Sequence, residues 1–440
     1  MEEYLEKTFR QLISTGQRRR MDTGSARDMK LRRMKNKVCV CLGVRRCGKT
    51  TLMAGLMAEL QAGGVARENI VHLNFADERL LSLHQGGWNA LYEAYYGMYP
   101  EKLGKETVYF FLDELQLFRG WELFVERLRR EENCEIFITG SSSSLLSKEI
   151  HTALRGRSLS SELFPFSFGE YLVRCGLPRR GYDTEYLMLR NKAWEQYKQE
   201  GGFPEAYGED EESRRSLFQE YYESLLYRDL MERHAPVQPL LLRLFASRLM
   251  CGMSGIVSIN KMQNNLKSMG IGCTRDTLQQ YLQWMEDAYF IFPVQQADAS
   301  AIARARGMNK VYCIDHSLVQ ALTPQYSDNR GPVLENMVYI SLRRHTAQVY
   351  YYKSKAGNEV DFLATLAGKP ALVQVCASMA EAATRKRELR ALSEAMAETG
   401  LKESWVVTES QESEIELPEG TVHCMPAYEF LADEIPVFWR

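Results

Sequence analysis

The sequence predicts an α/β protein built on a parallel sheet, and three observations point there. Short, largely apolar runs at 38–42, 69–75 and 107–112 alternate with helically periodic stretches, as strands covered on both faces require. The first run leads into Gly43-Val44-Arg45-Arg46-Cys47-Gly48-Lys49-Thr50-Thr51, which has the spacing G-x-x-x-x-G-K-[ST] of a phosphate-binding loop. The third run ends in Asp113-Glu114, two carboxylates at the carboxyl end of a predicted strand.

The loop residues have physical reasons to be what they are. Gly43 and Gly48 let the backbone turn tightly against a ligand, and amides of residues 43–51 are expected to cradle phosphate oxygens. Lys49 would reach the β and γ phosphates of ATP, and the Thr50 hydroxyl would ligate Mg²⁺. Behind the loop, Leu52, Met53, Leu56, Met57 and Leu60 recur at helical spacing until Gly63-Gly64, so the helix would aim its positive dipole end at the anion. Asp113 would hold the Mg²⁺ shell, and Glu114 would orient and deprotonate the attacking water. A fourth strand, 135–138, runs into Thr139-Gly140-Ser141, which makes the Ser141 hydroxyl a candidate for holding that water; a serine run is equally an ordinary loop or cap. Arg155 and Arg157 precede two strand-like runs, 159–163 and 164–168, and Arg157 is a candidate arginine finger acting on a neighbouring copy.

Composition narrows the class. At 440 residues the chain has room for two to four domains, and 45% hydrophobic with 25% charged residues at net charge -2 is the balance of a globular protein, not of a disordered or fibrous one. The acidic start Met1-Glu2-Glu3 and the lack of any run of eighteen apolar residues predict neither secretion nor membrane insertion, so a cytoplasmic protein is expected. The ten cysteines form no C-x-x-C pair, and neither disulfides nor zinc is expected. Residues 1–36 begin as an amphipathic helix with Tyr4, Leu5, Phe9 and Leu12 on one face. They then turn basic, with nine Lys or Arg against two Asp from Arg18 to Lys37. Such a block either binds nucleic acid or an acidic partner, or lies docked on the core as a solvated face.

The sequence Leu-Asp-Glu-Leu-Gln at 112–116 with Trp121, then Thr-Gly-Ser-Ser-Ser, Gly156-Arg157 and Phe-Pro-Phe-Ser-Phe-Gly-Glu-Tyr-Leu, resembles a bacterial and archaeal branch of the AAA+ ATPases. The resemblance continues through Gly201-Gly202-Phe203-Pro204-Glu205, Tyr227-Arg228-Asp229-Leu230 and Glu359-Val360-Asp361-Phe362. It implies an ATPase followed by a winged helix and a C-terminal domain similar in fold to PD-(D/E)XK nucleases. In the winged helix, residues 274–287 would form the second helix of a helix-turn-helix. With one Arg against Asp276, Glu286 and Asp287, that helix favours a structural or protein-contact role over DNA reading. In the nuclease-like part, Glu335 and Asp361 match two metal-ligand positions, but Gln374-Val375-Cys376 stands where Glu-x-Lys belongs. Cleavage is therefore not expected unless a relocated lysine, Lys353 or Lys355, serves instead.

The expected layout is a basic helical segment at 1–36, an AAA+ type P-loop core at 37–175 and a helical linker at 176–235. A winged-helix-like region at 236–298 and an α/β restriction-endonuclease-like domain at 299–440 complete it. The expected activity is a Mg²⁺-dependent ATPase acting on a protein or nucleic-acid partner through the basic segment or the C-terminal domain, with homo-oligomers possible and no membrane. A nucleotide-gated switch with slow hydrolysis and an ATP-dependent nuclease are the alternatives.

Overall fold

Strand β1 (Val38–Leu42) is buried at all five positions and β3 (Val108–Asp113) at five of six, so both need neighbours on each edge and cover on each face. With β2 (Ile70–Asn74), β4 (Cys134–Gly140) and β5 (Ser158–Glu162) they form an all-parallel sheet in the order β2-β3-β4-β1-β5. A computed structural model describes residues 2–20, 22–85, 87–140, 156–234, 236–297, 309–323, 330–433 and 436–439. The chain divides into two compact units, 1–163 and 164–440, so the residues after 163 pack as one body although the sequence suggests several segments there.

In the first unit, helix α1 (Glu2–Arg18) packs on helix Asn89–Met98 and on β2, covering the sheet's edge strand. Its buried stripe is Leu5, Phe9 and Ile13, while Tyr4 stays exposed, a shift of the predicted face that follows from strict i, i+4 spacing. The basic segment after α1 is partly docked on the core. Arg27 donates to the Cys47 carbonyl at 2.8 Å, Arg33 pairs with Glu135 at 2.9 Å, and Lys37 donates to the Gly156 carbonyl at 2.6 Å. Arg18, Arg19, Arg20, Arg67 and His72 instead line a cavity of about 810 Å³ against the helix behind the phosphate-binding loop.

In the second unit, residues 164–167 are not a strand. Pro165 offers no N–H, and Ser167 closes a capping box with Glu170 to start helix Phe168–Arg174. The Gly201-Gly202 pair explains itself here: a Cβ at Gly201 would run into Asp315 and Ser317, and one at Gly202 into the Phe166 carbonyl. Gly202 N–H donates to Asp315 at 2.8 Å, and Phe166 N–H donates to the Gly202 carbonyl at 2.6 Å. The helix carrying Tyr227-Arg228-Asp229-Leu230 winds as a π-helix over Leu225–Met231.

Helices Pro239–Met250, Ile259–Ser268 and Arg275–Asp287 pack with a small antiparallel sheet of β6 (Ile256–Val257), β8 (Asn309–Cys313) and β7 (Ile291–Val294), in that order. The last section is a mixed six-stranded sheet. Its strands are β9 (Val349–Lys353), β10 (Glu359–Leu366), β11 (Lys369–Val375), β12 (Glu403–Thr408), β13 (Ser413–Leu417) and β14 (Gly420–Pro426), ordered β13-β14-β12-β11-β10-β9. Helices Arg330–His345 and Ala382–Thr399 pack against it.

Candidate functional site

Parallel pairing brings three strand ends to one place. Leu42 is in register with Gly140, and Asn74 with Asp113, so the loop after β1, the acidic end of β3 and the end of β4 share the sheet's carboxyl edge. Ligands bind at that edge in open α/β sheets. The loop turns there on two glycines with positive φ: Gly43, where a Cβ would strike the Leu163 carbonyl, and Gly48, at φ 98° just before the helix Lys49–Ala62. Arg46, at φ 65°, adopts the left-handed conformation without being glycine.

Lys49 opens that helix and is buried, its ammonium donating to the carbonyls of Gly43 and Val44 at 3.0 and 2.9 Å. The ammonium thus lies inside the loop that leads into a helix N-terminus, where free N–H groups and the helix dipole favour an anion. Thr50 Oγ1 donates to Asp113 Oδ2 at 2.6 Å, so residues 63 positions apart meet. Hydroxyl and carboxylate oxygens at one point are the hard donors that Mg²⁺ takes, and the predicted pair fits that ion.

Thr139, two residues before the predicted Ser141, completes the group. Its buried hydroxyl donates to Asp113 Oδ1 and accepts the Glu114 N–H at 3.3 Å. The signal was present in sequence as a hydroxyl at the very end of an apolar strand. Glu114 sits at φ 56°, left-handed for a residue with a side chain, and Gln116 donates to its carboxylate. Strain of this kind costs on the order of 1–3 kcal/mol and gathers at functional sites. Ser141 and Arg155 lie outside the described residues. Arg157 is exposed and pairs with Glu126, which also pairs with Arg129 at 2.8 Å. Its carbonyl accepts the Val38 N–H at the start of β1, the end of the strand away from the loop, so within one chain Arg157 does not join the loop residues.

The remaining candidates meet in the second unit, around a lysine the sequence reading did not select. Lys310 on β8, and not Lys353 or Lys355, contacts Glu335 at 2.9 Å, Glu359 at 2.9 Å and Asp361 at 2.8 Å. The reason is topological: β8 belongs to the small sheet yet runs beside helix Arg330–His345, and separations of 25 and 51 positions hide the contacts from sequence. Burial pushes the Glu335 carboxyl up, aided by the Asp361 charge and opposed by Lys310, to about 8. Burial works against the charge on Lys310, but the three carboxylates outweigh it and hold its pKa above the ordinary lysine value. Among the described residues no group of three or more His, Cys, Asp or Glu is arranged to hold a metal, and no helix is long and apolar enough to cross a membrane.

Comparison with known proteins agrees with the first unit. Residues 35–172 match the family model of an AAA domain, 191–329 a domain of unknown function (DUF8612) and 330–430 a second one (DUF4143). The chain is 33% identical over 384 residues to Uncharacterized protein MJ1544 of Methanocaldococcus jannaschii, covering 84% of this chain and 81% of that protein. It is 29% identical over 344 residues to an uncharacterized protein of Haemophilus influenzae, covering 78% and 83%. Among solved structures it is similar to the Walker-type ATPase Paby2304 of Pyrococcus abyssi at 16% identity, 64% coverage of this chain, 90% of that chain and a TM-score of 0.39.

Proposed function

This chain belongs to the same family as the Methanocaldococcus jannaschii protein MJ1544 and carries an AAA domain, and on that premise we propose that it binds ATP with Mg²⁺ and hydrolyses it. The observation that carries the reading is the convergence of Lys49, Thr50, Asp113 and Thr139 on one strand edge. Amides of residues 43–51 bind the phosphates and Lys49 supplies the point charge facing the β and γ groups. Thr50 and Asp113 are the residues that would hold Mg²⁺, which neutralises charge on the transferring phosphate. Glu114 orients the attacking water and takes its proton, while the Thr139 hydroxyl holds Asp113 and the Glu114 backbone in place. Arg27, bonded to the Cys47 carbonyl, fixes the loop peptide just ahead of Gly48.

Among the described residues between 239 and 313, the helix-strand-helix-helix order followed by two more strands of one antiparallel sheet supports a winged-helix reading. For the C-terminal domain we favour a binding role without cleavage, because the Gln374 amide and Cys376 thiol replace an acid and a lysine. Hydrolysis would then drive a change at a protein or nucleic-acid partner, and the arginines lining the cavity beside α1 suit an acidic one. The test is ATP binding and turnover in Lys49→Ala and Glu114→Gln. Lys49→Ala should lose tight ATP binding. Glu114→Gln should bind normally and turn over at least ~100-fold more slowly, since a positioned base contributes about 10²–10⁴-fold. Unchanged nucleotide affinity in Lys49→Ala would sink the assignment.

A further inference from the structure

We infer that the Lys310 ammonium is the resident cation of a carboxylate cage in the second unit, and that this internal cation keeps divalent metal out of it. The inference stands apart from the ATPase reading, since every residue in it lies beyond the first unit. Three acidic side chains, Glu335, Glu359 and Asp361, come within 2.8–2.9 Å of one nitrogen whose side chain is only 4% exposed. Those separations are ordinary N–H···O distances and longer than the roughly 2.0–2.6 Å of Mg²⁺ or Ca²⁺ to oxygen.

Oxygens that a metal would draw on have other donors as well. Glu335 Oε1 also accepts the Tyr312 hydroxyl at 2.7 Å, and Asp361 Oδ2 accepts the Val375 N–H at 2.9 Å. Gln374, at the position where the family resemblance implies a third metal-binding acid, spends its carbonyl on the Asp361 N–H at 3.0 Å and its amide nitrogen on Glu388 at 2.7 Å. The Cys376 thiol turns away to the Ser378 carbonyl at 3.1 Å. A divalent ion entering the cage would meet a positive charge already seated among the acids, and expelling that ammonium would leave a lysine stem to rebury.

The lysine is also anchored. Lys310 sits between Ile256 of β6 and Val294 of β7 in the small sheet, so its side chain ties that sheet to helix Arg330–His345 through Glu335 and to β10 through Glu359 and Asp361. The cage therefore acts as a cation-filled joint between the small sheet and the C-terminal sheet, with the chain itself supplying the cation.

The test uses the full chain without nucleotide, in an Asp113→Asn background that removes the carboxylate beside the phosphate-binding loop, titrated with Mn²⁺ alone and followed by calorimetry and thermal unfolding. With Lys310 present, Mn²⁺ should move Tm by less than about 1 °C, the outcome of no preferential binding to the folded state. Lys310→Met should gain one Mn²⁺ site, at least about tenfold tighter than in Lys310→Met/Asp361→Asn, because the acids then lack a counter-ion. Mn²⁺ stabilisation of the Lys310-containing protein that disappears on adding Asp361→Asn overturns the inference, and this arm does not need Lys310→Met to fold. A folded Lys310→Met that takes no more Mn²⁺ than the double variant overturns it equally.

Discussion

Replacing Thr139 by valine isolates one hydroxyl. The side chain is 1% exposed, so valine fills nearly the same space and the loss is chemical: Asp113 Oδ1 loses its donor and the Glu114 N–H loses its acceptor. A hydrogen bond to a charged group contributes about 1.5–3 kcal/mol, and a buried N–H left without a partner costs about 1–3 kcal/mol. Since both losses occur in one small network they do not simply add, and a net destabilisation of about 2–4 kcal/mol is expected. Turnover should fall further than binding, because Thr139 touches the two carboxylate-bearing residues and neither Lys49 nor the loop amides. Misplacing catalytic groups by about 1 Å costs up to ~10²-fold, so kcat should drop about 30- to 100-fold with KM for ATP changed less than about threefold. Thr139→Ser should restore most of both quantities. Steady-state phosphate release and urea unfolding read the two effects. A folded Thr139→Val with wild-type kcat, or a serine variant as impaired as valine, would refute the role given to this hydroxyl.

Three further expectations use other parts of the molecule. If Arg157 acts on a neighbouring copy, the per-subunit rate of the wild type should fall on dilution through any dissociation, while Arg157→Ala should start low and stay flat; a contribution of ~10³–10⁵-fold is typical of such fingers, and a concentration-independent wild-type rate leaves Arg157 only its pairing with Glu126. Glu335, raised from 4.5 to about 8 in the folded state, binds a proton that the unfolded chain has released across that window, so stability should decline as pH rises from about 4.5 to 8, by on the order of 1 kcal/mol per pH unit at most. Glu335→Gln should flatten that slope in urea midpoints taken at three pH values, and an unaltered slope would show that another group is responsible. Incubated with Mg²⁺ or Mn²⁺, the protein should cleave single- or double-stranded DNA no faster than an Asp361→Ala control, and cleavage lost in both Asp361→Ala and Lys310→Met would restore the nuclease alternative.

The glycine-bounded turn after β1 is legible in the sequence because its geometry is local. Nine consecutive residues carry the turn, the lysine and the hydroxyl, and the backbone conformation at Gly43 and Gly48 follows from the absence of a Cβ there. Asp113-Glu114 could be read for a related reason, since an apolar strand announces where its carboxyl end lies. Residues 164–168 misled because alternating aromatics look like a strand, while Pro165 and the Ser167–Glu170 capping box decide for a helix start.

What only the tertiary structure decided depends on contacts between distant residues. Thr139 is one hydroxyl among several near the end of β4, and parallel pairing of β3 with β4 selects it by setting it beside Asp113. Lys310 lies 25 residues from Glu335 and 51 from Asp361, on a strand of a different sheet, so no spacing rule leads from one to the other. Burial forces the pairing: an ammonium with 4% exposure cannot stay charged without acids beside it. A sequence displays which charges exist, but their partners are chosen by the low dielectric of the space the fold encloses, and that space forms only when strands far apart in the chain have already met.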